Sequence, residues 1–88
     1  MPASPVRRRY HCRDGLLALA CQDERHWRAL ARCLGRPELA YPGSWETARA
    51  APPQGGLAQL LERLFAADSV AVWLERLEAH GVPCAREG

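Results

Sequence analysis

The chain has 88 residues, of which 48% are apolar and 25% charged, and a formal net charge of +2. This length permits one small domain with a limited core. No apolar run approaches the roughly 18 residues needed to cross a bilayer, so we expect no membrane association. The only basic cluster, Arg7–Arg9, lacks the extended basic stripe of a nucleic-acid reader, so we expect no nucleic-acid partner.

The first 21 residues predict a tail followed by a β-hairpin. Residues 1–8 contain two prolines and no pattern, so they are predicted to be a disordered tail before a single domain over 9–88. A hairpin is predicted over about 9–21, and Arg13-Asp14-Gly15 supplies a turn because Asp-Gly tolerates positive φ. The second strand, LLALA, is apolar on both faces, which predicts that both are covered.

A helix is predicted next, over about 24–34. Asp23 can cap its start, and Glu24 suits the positive end of the helix dipole. Apolar residues then recur at positions i, i+3, i+4 and i+7, and Gly35 ends the stripe. A proline-rich connection follows over 36–56, with short helical turns expected around 37–40 and around 45–50.

Two further helices and a strand are predicted at the C-terminal end. The helices span about 56–66 and 69–80, the second capped by Asp68 or Ser69 and ended by Gly81. Pro83 prevents continuation, and a short strand over about 82–85 is expected beside the hairpin, since two strands alone make a weak sheet. The predicted fold class is therefore α+β, a small antiparallel sheet packed with three main helices.

No catalytic or metal-binding motif is evident in the sequence. The four cysteines lie far apart without a CxxC pair, and the three histidines lack zinc-finger spacing, so no metal site is expected. His80 and Cys84 lie across a helix end, where His80 is better read as a partner of the dipole than of the thiol. The N-terminal segment has no apolar signal core, so a cytoplasmic location with reduced thiols is expected.

The stretch CQDERHW is the most suggestive candidate for a site. Here a buried strand leads into a helix N-terminus, where backbone N–H groups converge and polar substrates are bound. Gln22, Asp23 and Glu24 project from this turn and are the candidate substrate-facing residues. The alternative interpretation is simple helix capping.

Several segments in order resemble the class III CoA-transferase family (CaiB/BaiF), which includes formyl-CoA transferases, carnitine CoA-transferases and α-methylacyl-CoA racemases. The segments are YHCRDGLLALACQDERHW, LGRPELA and VAVWLERLEAHGVPCA. They span roughly residues 9–85. The segment after LGRPELA is shorter than in the family, and the proline-valine that usually follows GVPCA is replaced by Arg86-Glu87-Gly88.

The resemblance implies only the small domain of such an enzyme. In the family, a large nucleotide-fold domain carries the catalytic aspartate and most of the CoA site, and the small domain closes over the active site of the partner subunit. The chain is therefore expected to bind no cofactor by itself and to be inactive without a large catalytic domain as partner. CoA thioesters (acyl-CoA) are the implied substrates, for CoA transfer or for racemisation, and an acidic residue near Asp23 or Glu24 occurs in racemase-type members.

Two other functions are compatible with the residues. One is a non-enzymatic protein-interaction module, or the remnant of a truncated gene, whose exposed apolar surface would mark an interface. The other is a metal or redox protein that uses its cysteines.

Overall fold

A computed structural model describes residues 3–87, which form three strands, four α-helices and one 3-10 turn. In chain order the elements are β1 (Arg7–His11), β2 (Leu16–Ala20), α1 (Glu24–Cys33), the 3-10 turn (Pro37–Leu39), α2 (Ser44–Ala50), α3 (Gly56–Ala66), α4 (Val70–Ala79) and β3 (Cys84–Glu87). The predicted α+β class is confirmed. The three main helices lie within a residue or so of their predicted bounds, and both short helical turns are present.

The sheet is antiparallel with the order β1-β2-β3, so β2 is central. In the register, Tyr10 pairs with Leu17 on one side, and Leu19 pairs with Cys84 on the other. The C-terminal strand thus completes the sheet, as predicted. It begins at Cys84 rather than at residue 82, because Val82 donates its N–H to Leu77 as part of the end of α4.

Only one face of this sheet is covered by helices, although the sequence predicted that both would be. On the inner face Tyr10, Leu17 and Leu19 are buried against α3 and α4. On the opposite face Leu16, Ala18 and Ala20 are only half-buried. The prediction was wrong for the described residues. The apolar pattern of β2 predicts a layer on each face of the sheet, but residues 3–87 supply a layer on the inner face alone.

Residues 3–8 are packed rather than forming a loose tail. Val6 is fully buried, and its carbonyl accepts the N–H of Cys21 at 2.9 Å, just beyond the end of β2. The hydroxyl of Tyr10 donates to the carbonyl of Pro5. This segment is therefore held by the strand end and by the core, and β1 starts at Arg7, earlier than predicted. Residues 1 and 2 of the predicted tail, and Gly88 of the predicted domain, lie outside the described residues.

The hairpin turn is present, but without the predicted positive φ. The loop has four residues, closed by a 2.8 Å bond from Cys12 N–H to the Gly15 carbonyl, and longer loops of this kind do not need left-handed residues. Asp14 instead accepts the N–H of Val70 at 2.9 Å, which joins the turn to the start of α4. A Cβ at Gly15 would lie 3.3 Å from Val70, so the glycine allows this close approach.

Three aromatic rings form the centre of the core between the sheet and the helices. Tyr10 of β1 stacks on Phe65 of α3, and Trp73 of α4 meets the edge of Phe65, each with ring centroids 5.0 Å apart. The indole of Trp73 donates to the carbonyl of Phe65 at 2.9 Å, which satisfies the buried N–H. These contacts fix α3 and α4 on the inner face of the sheet.

Candidate functional site

The predicted site lies at the turn between β2 and α1. Cys21 is buried directly after the strand, Gln22 and Asp23 are exposed, and Glu24 is half-buried at the first helical position. The structure brings all three predicted residues, Gln22, Asp23 and Glu24, to one rim of the domain because they are consecutive in this turn. Residues 22–24 form this rim.

Asp23 is the N-cap of α1. Its backbone is extended, with φ −153° and ψ 177°, and its carboxylate accepts the N–H of His26 at 3.0 Å. This hydrogen bond, aided by the charges of His26 and Arg25, lowers the pKa of Asp23 below its ordinary value. Asp23 therefore caps the helix, as predicted, and its carboxylate is ionised with one oxygen bonded to the helix.

The other two rim residues differ in which of their polar groups already have a partner. Glu24 approaches Arg28 one turn along α1, with 3.3 Å between Oε2 and Nη2. The backbone N–H of Gln22 donates to Nδ1 of His26 at 3.1 Å, so the imidazole of His26 folds back over the turn. The rim can accept and donate hydrogen bonds to a polar ligand, but its carboxylates already have partners in α1.

His26 is a residue of this site that the sequence interpretation missed. Because its Nδ1 accepts a hydrogen bond from the Gln22 N–H, the ring in its neutral form carries its proton on Nε2. The side chain also lies 3.7 Å from the carboxylate of Asp23. A histidine three residues after a capping aspartate was the available signal, although its ring orientation depends on the turn geometry.

The thiols near the site are poor nucleophiles. Burial raises the pKa of Cys21 to about 12 and also raises the pKa of the half-buried Cys84. His80 does not activate Cys84, since its Nδ1 is 2.9 Å from the carbonyl of Arg76 at the end of α4. The predicted role of His80 at the helix C-terminus fits this contact, and no thiolate–imidazolium pair is formed by these two residues.

Neither a metal-binding cluster nor a membrane-spanning helix is present in residues 3–87. Over residues 3–87, no three histidine, cysteine, aspartate or glutamate side chains converge so that they could hold a metal ion. In the same range, none of the helices has the length and apolar character required to span a bilayer.

Comparison with known proteins relates nearly the whole chain to one family. The family model of CoA-transferase family III matches residues 1–87. The formyl-CoA:oxalate CoA-transferases of Streptomyces coelicolor and Streptomyces avermitilis are each 41% identical over 61 residues, which is 66% of this chain. The matched segment is 14% of each of those proteins, so the chain spans only a small part of their length.

Solved structures show the same fold within a larger chain. The D175A mutant of Rv3272 from Mycobacterium tuberculosis superposes with a TM-score of 0.79 over 98% of this chain, at 22% identity. The orthorhombic form of Rv3272 gives a TM-score of 0.74 over 97%. Each match covers 24% of the Rv3272 chain, and at this identity the likeness shows the fold alone.

Proposed function

The chain belongs to CoA-transferase family III, and from this premise we propose that it works as the small domain of such an enzyme together with a large catalytic domain. The joint activity is the transfer of CoA between acyl groups, or the racemisation of an acyl-CoA. The observation that carries the proposal is the family match over residues 1–87 of a chain whose segment matched to the named relatives is 14% of their length. By itself the chain is expected to be inactive.

The chemistry of the rim supports this division of labour. Transfer of an acyl group through a mixed anhydride needs a carboxylate free to act as a nucleophile. Asp23 is bonded to the helix backbone, and Glu24 is paired with Arg28, so neither is placed for that role in this domain. Gln22, Asp23 and Glu24 are therefore proposed to face the polar part of an acyl-CoA whose reacting groups lie on the large domain.

The uncovered face of the sheet supports a large partner domain. This outer face is defined by the alternate residues of the three strands: Arg7, Arg9, His11, Leu16, Ala18, Ala20, Ala85 and Glu87. Its centre is small and apolar, and two arginines line the β1 side. A strand as apolar as β2 is typical of a sheet covered on both faces. We propose that the large domain covers this face with an apolar surface that places carboxylates near Arg7 and Arg9.

A cytoplasmic location is part of the proposal. Its support is that all four cysteines, at 12, 21, 33 and 84, are free thiols, which suit a reducing compartment.

The test is a chimera in which this chain replaces the matching segment of the Streptomyces coelicolor formyl-CoA:oxalate CoA-transferase. If the outer face docks on the remainder of that enzyme, calorimetry should show one cooperative unfolding transition. Ala18→Glu, at the centre of the outer face, should separate the small domain as a second transition, because it places a charge in an apolar interface.

A matched control uses the same substitution away from the sheet. Ala71 is exposed on α4, so Ala71→Glu should leave a single transition. Two transitions in the unsubstituted chimera, or one unchanged transition with Ala18→Glu, would contradict docking through the outer face. A chain that folds as an independent module beside the enzyme would then be better explained as an interaction module.

A further inference from the structure

An apolar pocket of about 190 Å³ lies between α1, α2, the start of α3 and the segment after the 3-10 turn. Its walls include Trp27, Leu39, Ala48 and Leu57. Tyr41 also lines it while 56% of the tyrosine surface stays exposed, so the pocket reaches the solvent. None of the lining residues carries a charge.

One polar pair in the wall is already satisfied. Ser44 is 4% exposed, and its hydroxyl accepts the indole N–H of Trp27 at 2.9 Å. This bond joins the first turn of α2 to α1 and fixes the orientation of the indole ring. These two polar groups are thus directed at each other, and most of the remaining wall, apart from the hydroxyls of Tyr41 and Thr47, is carbon.

The size of the pocket limits what it can hold. An apolar cavity of about 150 Å³ is known to take benzene, whereas pockets for drug-sized ligands start near 300 Å³. A volume of about 190 Å³ therefore suits an uncharged group of roughly six to eight non-hydrogen atoms. The nucleotide of CoA is too large and too charged to enter.

Trp27, which lines the pocket, lies one helical turn from the rim along α1. Trp27 donates its backbone N–H to the carbonyl of Asp23 at 3.1 Å, so the indole wall and the rim are one turn apart on α1. A turn of α-helix advances about 5.4 Å, which is within the length of a short acyl chain. A single acyl thioester could therefore have polar atoms near the rim and its chain in the pocket.

We propose that this pocket binds the apolar acyl chain of the substrate, so that the substrate class is a medium-length or aromatic acyl thioester. This inference rests on the proposed function, which makes acyl-CoA the substrate. A one- or two-carbon polar acyl group would leave most of the pocket unfilled. Each buried methylene contributes about fourfold in affinity, so chain length determines binding until the pocket is full.

The test uses thioesters that lack CoA, so it is independent of CoA recognition. The 88-residue chain is titrated with S-ethyl thiohexanoate and with S-ethyl thioacetate, and binding is followed by ¹H–¹⁵N NMR. The hexanoyl compound should shift the indole N–H of Trp27 and the amides of Thr47 and Ala48. Its four additional methylenes should tighten binding by up to about 250-fold relative to the acetyl compound.

Two variants fill the pocket from partly or fully exposed positions, so they leave the core intact. Ala51→Leu and Thr47→Phe should abolish the shifts caused by thiohexanoate, whereas Ala71→Leu, on the exposed side of α4, should preserve them. The proposal is overturned if thiohexanoate causes no shifts at the pocket. It is also overturned if the two thioesters bind equally or if both filled variants bind as the parent does.

The outcomes separate this inference from the proposed function. Docking of the chimera without hexanoyl binding would preserve the small-domain role and reject the acyl pocket. Hexanoyl binding in a chain that does not dock would leave an apolar ligand site and reject its use in CoA transfer.

Discussion

Replacing Ser44 by alanine removes one buried oxygen and leaves the indole N–H of Trp27 without its hydrogen-bond acceptor. The Ser44 hydroxyl accepts the indole N–H of Trp27 at 2.9 Å, and the two residues are 4% and 2% exposed. In Ser44→Ala the indole N–H has lost this partner and is shielded from water. The variant therefore tests whether this bond, rather than apolar contact alone, fixes α2 against α1.

The expected loss follows from the unsatisfied donor. A buried donor without a partner destabilises a folded protein by about 1–3 kcal/mol. We expect a net loss of about 2 kcal/mol in the free energy of unfolding, which lowers the urea midpoint by roughly 1–2 M at an unchanged m-value.

A double-mutant cycle with Trp27→Phe isolates the bond. Phenylalanine has no N–H, so Ser44→Ala in that background should be neutral or slightly stabilising, because it removes a hydroxyl that no longer has a donor. Urea unfolding of the four proteins gives the coupling energy, expected to be about 1–2 kcal/mol. An equal effect of Ser44→Ala in both backgrounds would refute the assignment of the hydroxyl as partner of the indole.

Three more predictions concern the helix ends and the thiols. Gly81 has φ +75° at the end of α4, so Gly81→Ala should lower stability by about 1–2 kcal/mol in urea unfolding, whereas Gly56→Ala, in a helix with open space, should not. Because the folded-state pKa of Asp23 is lowered, its carboxylate stabilises the chain above its ordinary pKa, and this is lost as pH falls through the lowered value. Thermal unfolding of Asp23→Asn should therefore approach the parent in acid. Since burial raises the pKa of Cys21 to about 12, iodoacetamide at pH 8 should alkylate the half-buried Cys33 and Cys84 before Cys21, as seen by mass spectrometry.

Each of these predictions has an outcome that contradicts it. Equal stability of Gly81→Ala and the parent would mean that alanine adopts the left-handed conformation at this position without strain. A constant difference between Asp23→Asn and the parent at all pH values would mean that the carboxylate charge does not contribute. Early alkylation of Cys21 would mean that the thiol is reached by local opening.

The helices and the sheet could be predicted because their signals are local. Asp23 and Gly35 bracket α1, and Gly81 marks the end of α4, where both Val82 N–H and Gly81 N–H bond back to the last turn. These residues act through backbone atoms within four or five positions, so the sequence alone carries the information. The position of the rim could be predicted for the same reason, since Asp23 is part of the cap.

What escaped prediction depends on distant contacts. The bond between Trp27 and Ser44 joins residues 17 positions apart, and the pocket beside it exists only because α1 and α2 meet there. The sequence places Val6 in the tail because nothing in its neighbourhood shows that it packs beside Cys21. The apolar pattern of β2 did predict a second covering layer, and this expectation points beyond residues 3–87 to the proposed partner domain.

The most direct measurement of the central claim is CoA transfer from formyl-CoA to oxalate by the chimera with the Streptomyces coelicolor enzyme. The small-domain role predicts transfer by the chimera and none by the same enzyme with the segment deleted. It also predicts slower transfer when Gln22, Asp23 and Glu24 are replaced together by alanine, asparagine and glutamine. A chimera that unfolds as one cooperative unit but transfers no more CoA than the deletion, with either oxalate or hexanoate as the acceptor, would contradict the claim.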